Sequence, residues 1–393
     1  MDINTERAKE LAEYVAAHPE QEEKEIREPV FLGGKNQYLK VYRIPIKLLI
    51  FNIRNGRFAS ELLSKERELC HPLDATKSED ASILMEILLN QKPDETEVLK
   101  ESIREHGQLH PGLVTFDGAV INANRRMAVI SKLHEETGKE QFEYLKAAML
   151  PKGVGAKELW RIEAGLQFAK DLRLEYGPVN ELLKLREGIK HNLTPTEISN
   201  TLEGRFTAKD VENRLKILDL IDSYLKSIGK ENEYMSFQAE RVVEQFNSLQ
   251  DNVLIPLRRK LGEKEGNKAA LEVIPLAFRL IDSQQVDYRD IRKLKGIMLN
   301  SNAKKVILTD FNPTDTKVNT LFRLSEKFNV AEEMVEATND HGRPKLLVEK
   351  ALAMIGGIDS AQVVAQGEEM LELLQKLKDK VEELLSIKVE KKH

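Results

Sequence analysis

The spacing of apolar residues changes near residue 150, from short strand and helix patterns to long helical ones. Before that point, the run QYLKVYRIPIKLLIF (residues 37–51) is rich in β-branched, aromatic and aliphatic residues, and Pro45 divides it into two strand-like pieces. Between residues 80 and 106, apolar positions recur every three or four residues and predict two helices. We therefore predict an α+β domain followed by mostly α-helical domains.

The stretch VINANRRMAVISKL (residues 120–133) predicts a strand that turns through two asparagines into an amphipathic helix. Backbone N–H groups at the start of a helix lack intrahelical acceptors, and the helix dipole makes this end attractive to phosphate. Arg125 and Arg126 would add forked donors that match phosphate oxygens. By itself, the stretch fits an anion site and a water-facing helix start equally well.

A second candidate anion site lies in the stretch FNIRNGRF. Asn55 and Gly56 predict a tight turn. Arg54 and Arg57 flank that turn, so that both side chains can converge on one anion. Considered alone, this loop fits a simple surface turn better than a ligand site.

Three segments, LKVYRIPIKLLIFNIRNGRF, VLKESIREHGQLHPGLV and DGAVINANRRMAVISKL, follow one another along the chain. In this order they resemble the N-terminal domain of the ParB and sulfiredoxin superfamily, over about residues 37–150. The resemblance implies a nucleotide-binding fold, which in ParB is a CTP-dependent clamp, with a nucleoside triphosphate (CTP or ATP) and Mg²⁺ as ligands. It assigns the nucleotide and phosphate contacts to Arg54, Asn55, Arg57, Gly107, Gln108, His110, Pro111, Asn122, Asn124, Arg125 and Arg126.

The family also has a third box, in which an acidic residue and a glutamine lie near the phosphates and magnesium. Glu163 and Gln167 in RIEAGLQF are the nearest match, with a spacing one residue longer than the usual pattern. The resemblance implies the same role for these two residues.

The chain departs from the family pattern at two asparagines. Asn122 stands where the family has glycine, and Asn124 stands where it commonly has glutamate. A carboxylate that can act as a base or a metal ligand is therefore missing, so we expect binding rather than hydrolysis. Sulfiredoxin chemistry needs a cysteine in this box, and the single cysteine, Cys70, is far away in sequence. The serine-kinase branch of this superfamily relies on an acidic catalytic residue in the same box, so it also loses support.

A helix-turn-helix is predicted over residues 194–221. Thr194 and Thr207 are each followed three residues later by an acidic residue, as in a capping box. By analogy with ParB, the second helix would contact DNA through Lys209, Asn213, Arg214 and Lys216. Residues 156–230 hold 13 basic and 12 acidic side chains, so we expect weak or partner-assisted DNA binding. The alternative is a helical bundle without a DNA role.

Charge is unevenly distributed along the chain. Residues 1–28 contain nine acidic and four basic side chains, which equals the net charge of −5 of the whole chain, so the remainder sums to zero. A single cysteine and the lack of an apolar run long enough for a bilayer predict a cytoplasmic protein without a membrane contact. The histidines show no metal-ligand spacing, so we expect no structural zinc.

These patterns divide the chain into four predicted parts. The last of them ends in a short heptad pattern, from which we expect a homodimer or a partner protein bound through the C-terminal helices. The four parts are 1–36 (acidic N-terminal helix and linker), 37–152 (ParB-like nucleotide-binding domain), 153–235 (helical domain with the helix-turn-helix) and 236–393 (C-terminal helical domain).

Three functional hypotheses follow from the sequence. The leading one is a ParB-like, DNA-associated protein in which nucleoside triphosphate occupancy switches DNA engagement or self-association. A second makes the chain a ParB-fold nuclease or NTPase effector in defence against foreign DNA. A third makes it a non-catalytic scaffold that recruits a partner protein.

Overall fold

The structure is a computed structural model that describes residues 5–53, 56–168, 177–202, 205–237, 240–339 and 343–386. It divides into two compact units, Met1–Arg292 and Lys293–His393. The predicted fold class is confirmed at the level of a mixed α/β region with a six-stranded sheet, followed by mostly helical segments. None of the helices in the described ranges is long and apolar enough to cross a membrane.

The sheet of the first unit has the strand order β1-β2-β6-β4-β5-β3. Strands β3 and β5 are parallel, as are β4 and β6, whereas the other neighbours are antiparallel. The strands are β1 (Glu22–Leu32), β2 (Lys35–Pro45), β3 (Ile50–Phe51), β4 (Gly112–Val114), β5 (Ala119–Asn122) and β6 (Tyr144–Met149).

Helices cover both faces of this sheet and then continue alone to the end of the chain. In the first unit they are α1 (Thr5–Ala17), α2 (Ala59–Leu69), α3 (Ser78–Asn90), α4 (Pro93–His106), α5 (Asn124–Thr137), α6 (Ala156–Phe168), α7 (Pro178–Lys190), α8 (Pro195–Thr201), α9 (Ala208–Ser227), α10 (Glu240–Ser248) and α11 (Ile255–Asp282). The remaining helices are α12 (Tyr288–Leu299), α13 (Ser301–Leu308), α14 (Val318–Asn339), α15 (Arg343–Gly356) and α16 (Ser360–Leu385).

Alternation along the strands explains why the sheet has two covered faces. Val120 of β5 belongs to the core that α2 to α5 build on one face, whereas its neighbour Ile121 packs with Ile162 of α6 on the other. Successive residues of a strand point to opposite faces, so a strand covered on both faces is apolar throughout. This packing holds the start of α5, which follows β5 directly, at one end of the sheet.

The predicted linker is wrong for residues 22–32, which form the edge strand β1. Val30 and Leu32 are buried against the α6 side of the sheet, and charged residues separate the few apolar positions that precede them. The apolar alternation that predicts a strand is therefore weak in the sequence of residues 22–32. The preceding helix α1 also packs onto the sheet domain, because Leu11 is fully buried in its core.

Two helix starts that the sequence predicts from neighbouring residues are confirmed in the helical region. Thr194 and Thr207 each cap a helix, and Glu197 and Asp210 complete the two capping boxes. The C-terminal heptad residues lie on α16, which has no buried residue; they are Met370, Leu374, Leu377, Val381 and Leu384. Self-association through this helix stays a prediction.

Candidate functional site

A cleft of about 290 Å³ lies at the start of α5. The loop after β3, the ends of α3 and α4 that face each other, and the segment before β4 surround it. Its lining residues are Arg57, Phe58, Leu88, Gln91, Glu95, Leu99, His110, Asn122, Ala123, Asn124, Arg125 and Arg126.

The backbone at the entry to α5 is strained. Ala123 has φ 101° and ψ 17°, a left-handed conformation that costs a non-glycine residue about 1–3 kcal/mol. The helix has no side-chain cap, so its first N–H groups lack the usual capping oxygen, and Asn124, Arg125 and Arg126 of this turn line the cleft. The position that favours glycine is therefore Ala123, whereas Asn122, predicted to replace a glycine, is an ordinary strand residue of β5.

Two arginines of the first turn of α5 line the cleft with different degrees of restraint. The Nη1 atom of Arg125 lies 3.3 Å from Oε2 of Glu95, and its Nη2 atom lies 3.5 Å from the side-chain oxygen of Gln91. Arg126 donates to the carbonyl oxygens of His110 and Pro111, which precede β4. Arg125 is therefore held by long contacts that a stronger anionic acceptor can replace.

Glu95 is the internal counter-ion of this cleft. Burial opposes ionisation of its carboxyl, but hydrogen bonds and charges from Lys92 and Arg125 outweigh burial and lower its pKa. The carboxylate is thus charged at neutral pH and neutralises part of the positive charge near Arg125. A phosphate that binds Arg125 has to compete with it.

The side chain of Asn124 is a structural bridge rather than a ligand group. Its Oδ1 atom accepts a 2.9 Å hydrogen bond from the N–H of Asn52, and its Nδ2 atom donates over 2.7 Å to the carbonyl of Val120. Asn124 is 3% exposed. A glutamate or aspartate carboxylate cannot donate to Val120, which gives a physical reason for the amide at this position.

The loop at Gly56 and Arg57 is held in place by hydrogen bonds to side chains of other elements. The carbonyl of Arg57 accepts hydrogen bonds from Gln91 and from Nδ2 of Asn180, the latter over 2.9 Å. The N–H of Gly56 donates over 3.2 Å to Oε1 of Glu163. Arg57 therefore lines the cleft on an anchored loop, whereas the predicted partners Arg54 and Asn55 lie outside the described residues.

Glu163 lies behind this loop and not in the cleft. Its carboxylate binds Nζ of Lys184 at 2.9 Å, and Lys184 also binds Glu187 at 2.8 Å. Burial would lower the pKa of Lys184, but the two carboxylates outweigh it and raise that pKa, so the lysine stays charged. Burial and Glu187 raise the pKa of Glu163. Glu163 lines a separate cavity of about 30 Å³, and the side chain of Gln167 lies outside the described residues.

The turn between α4 and β4 contributes less to the cleft than the sequence predicts. Gln108 is buried, and its amide binds the carbonyls of His110 and Lys146 and the N–H of Lys146, each at 2.8 Å. Gly107 ends α4 with φ 70°. His110 lines the cleft, so of these three residues it is the one that the structure places at the site.

The donor set of the cleft does not fit a protein-bound Mg²⁺ ion. Glu95 is the sole carboxylate among its described lining residues, and it is ion-paired with Lys92 and Arg125. Within the described residues, no three His, Cys, Asp or Glu side chains come together as a metal site. A Mg²⁺ ion at this cleft would have to be held by the ligand's own oxygens.

The middle of the predicted DNA-contacting face of α9 is occupied by the chain itself. Nδ2 of Asn213 donates to Oδ1 of Asp251 over 2.6 Å, and Oδ1 of Asn213 accepts from Gln250 over 3.0 Å. Both partners belong to a π-helix, Leu249–Leu254, between α10 and α11. Asn213 therefore has intramolecular partners for its donor and its acceptor.

Arg214 is also used within the chain. It donates to Glu181 over 2.6 Å and lies over the ring of Phe206, with its Cζ atom 4.1 Å from the ring centroid. Lys209 and Lys216 are exposed. Of the four predicted DNA contacts, the structure leaves these two lysines at the surface.

Sequence reasoning missed the residues that hold the site together. Gln91 and Glu95 flank the break between two predicted helices, and only their positions across the cleft from α5 give them a role. Lys184 stands among three leucines in ELLKLRE, a signal that a buried partner exists. The sequence does not say which partner that is.

Comparison with known proteins adds no assignment. No family model matches the chain, and no curated protein matches it either. The functional argument therefore depends on the residues of the cleft.

Proposed function

We propose that the chain is a ParB-like protein that binds a nucleoside triphosphate in the cleft at the start of α5. Occupancy of the cleft would change how the chain engages DNA or itself. One observation supports the proposal most directly. Arg57, Arg125 and Arg126 line the same cleft as the strained, uncapped first turn of α5.

The rest of the lining suits the nucleoside. Phe58, Leu88 and Leu99 provide an apolar wall, and Gln91 and His110 provide polar atoms beside it. The cleft volume of about 290 Å³ is at the lower end of the range for small-molecule sites, about 300–1,000 Å³. A phosphate chain at α5 and a base or sugar on the apolar wall would use both parts.

The proposed activity is binding without rapid hydrolysis. Asn124 uses its amide in two backbone hydrogen bonds, and Glu95 is ion-paired. Neither side chain is placed as a general base for water. The nuclease alternative shares this difficulty, because it needs carboxylates or a metal site that the described cleft does not provide.

Equilibrium dialysis with labelled CTP, ATP and GTP, with Mg²⁺ and with EDTA, tests this function. We expect one nucleotide to bind and Arg125→Ala or Arg126→Ala to weaken binding by about tenfold to hundredfold, because a hydrogen bond to a charged group contributes about 1.5–3 kcal/mol. Arg104→Ala is the matched control, since Arg104 of α4 pairs with Glu101 and with Glu136 of α5 and does not line the cleft. If wild-type protein binds none of the three nucleotides, the proposal is wrong.

For duplex DNA we expect weak binding with a shallow salt dependence. Two exposed lysines on α9, Lys209 and Lys216, neutralise about two phosphates, which corresponds to a slope of log K against log salt of about −2. Titration of a labelled duplex at several salt concentrations measures the slope. The double variant Lys209→Gln, Lys216→Gln should abolish this salt dependence. A wild-type slope equivalent to eight or more ion contacts would contradict the prediction.

A further inference from the structure

The outer half of the β1–β2 hairpin forms a two-stranded ribbon. Strand β2 pairs with β6 through residues 41–45, whereas residues 35–40 pair with β1. Gly33 and Gly34 connect the strands with φ values of 61° and 79°, which suits a tight hairpin turn. The N–H of Gly33 donates to Glu158 of α6 over 3.2 Å, so the tip of the ribbon has a fixed position.

One face of this ribbon carries two exposed aromatic side chains. Phe31 is 64% exposed and Tyr38 is 70% exposed, whereas Val30 and Leu32 on the other face are buried. Phe31 pairs with Asn36, and Pro29 pairs with Tyr38. The two aromatic residues are therefore diagonal neighbours on the same face, with Cα atoms about 7–8 Å apart.

The same face is basic. Arg27 lies directly opposite Lys40, two residue pairs further along the ribbon from Tyr38 and so on the same face. Glu22 contacts both cations, at 3.0 and 2.9 Å, so one negative charge faces two positive charges. Lys35 at the tip is exposed, but it pairs with Leu32 and therefore points to the opposite face.

The first part of β1 is acidic, with Glu22, Glu23, Glu25 and Glu28, but the chain from Pro29 to Ser60 is basic. Residues 29–60 contain no acidic residue, in contrast to the acidic segment before them. Their six basic residues are Lys35, Lys40, Arg43, Lys47, Arg54 and Arg57.

We propose that this face of the hairpin binds single-stranded nucleic acid, with Phe31 and Tyr38 stacking on two bases and Arg27 and Lys40 contacting the backbone phosphates. Exposed aromatic rings beside cations are the combination that binds single strands, because every base offers a flat face and every linkage offers a charge. A duplex keeps its bases stacked on one another and cannot use the rings. The proposal is independent of nucleotide binding in the cleft, because it uses other residues.

The cations on this face also favour nucleic acid over a protein as the ligand. An apolar protein contact would favour further exposed aliphatic side chains around the rings. The neighbours on this face are instead Pro29, Asn36, Arg27 and Lys40. This composition is complementary in charge to a polyanion.

Fluorescence anisotropy with the full chain and labelled 20-mers of oligo(dT) and oligo(U) tests the proposal. We expect Phe31→Ala and Tyr38→Ala each to weaken binding by about tenfold, because stacking on one aromatic side chain contributes about 1–3 kcal/mol per base. Tyr38→Phe should bind like wild type. Val98→Ala, at a 72% exposed apolar residue of α4, is the control for loss of an exposed side chain.

The two oligomers distinguish the possible sources of the single strand. Equal binding indicates recognition of bases and phosphates alone, whereas preference for oligo(U) indicates a contact to the 2′-hydroxyl, and both results support the proposal. Lys209→Gln with Lys216→Gln should leave binding of the single strand unchanged. The proposal is overturned if wild type binds neither oligomer, if Phe31→Ala and Tyr38→Ala bind like wild type, or if a duplex of the same length binds as tightly.

Discussion

Replacing Lys184 with methionine is expected to lower the free energy of unfolding by about 3–5 kcal/mol at neutral pH, the usual cost of removing one partner of a buried ion pair. Lys184 is fully buried and lies between Glu163 and Glu187. Methionine has a similar length but no charge, so the buried Glu163 carboxylate loses its counter-ion. Urea unfolding with linear extrapolation gives the difference.

The pH dependence of this loss has a defined sign. The pKa of Glu163 is already raised by burial in the folded state, and removal of Lys184 should raise it further. A group with a raised folded pKa contributes its stability below its unfolded pKa and loses it as pH rises through the folded pKa. The Lys184→Met variant should therefore be closer to wild type at pH 5 than at pH 8.

Two further variants distinguish a lost ion pair from general damage to α7. Lys190→Met changes an exposed lysine of the same helix and should alter the free energy of unfolding by at most about 0.5 kcal/mol. Glu163→Gln combined with Lys184→Met should recover part of the loss, because no uncompensated charge then remains at Glu163. A Lys184→Met variant that is as stable as wild type at pH 8 would refute the account of this pair.

Asn124→Asp is expected to destabilise the fold by at least about 2 kcal/mol at neutral pH. The substitution keeps the size of the side chain, but it replaces the donor to the Val120 carbonyl with an acceptor and buries a negative charge. Burial raises the pKa of the new carboxyl. Since a protonated carboxyl can donate to Val120, stability should return toward the wild-type value as pH falls to about 4.

Asn122→Asp is the matched control for this prediction. Asn122 is two residues away and half-buried, so the same chemical change should have a smaller effect on stability. Unfolding curves of both variants between pH 4 and 8 provide the measurement. Parallel pH profiles for Asn124→Asp and wild type would show that the amide of Asn124 is not needed as a donor.

The sequence was informative wherever the deciding interaction is local. The capping boxes at Thr194 and Thr207 depend on a residue three positions away, and both were predicted. The strand before Arg125 and Arg126 follows from a short run of apolar residues. Strand β1 was missed, because its charged residues face solvent or other strands and only the pairing with β2 makes the segment extended.

Some of the residues that line the cleft were also named from the sequence. From the sequence, Arg57 and the pair Arg125 and Arg126 were candidates in two separate stretches, which the family resemblance assigned to one pocket. The structure places all three at one cleft. It did not separate these ligand candidates from neighbours with structural roles. Gln108 and Asn124 satisfy backbone groups, and the carboxylate of Glu163 holds a loop and a lysine.

By itself, the sequence determined the division into a mixed α/β part and a helical part, the capped starts of α8 and α9, and the arginine-rich entry to α5. Spacing and capping act over a few residues, so a linear pattern contains them. Only the tertiary structure decided which polar side chains face the cleft and which are used inside. That choice depends on partners such as Lys184 for Glu163 and Asn52 for Asn124, which come together only when the sheet and helices pack. A buried polar group must find its partner wherever the fold places one.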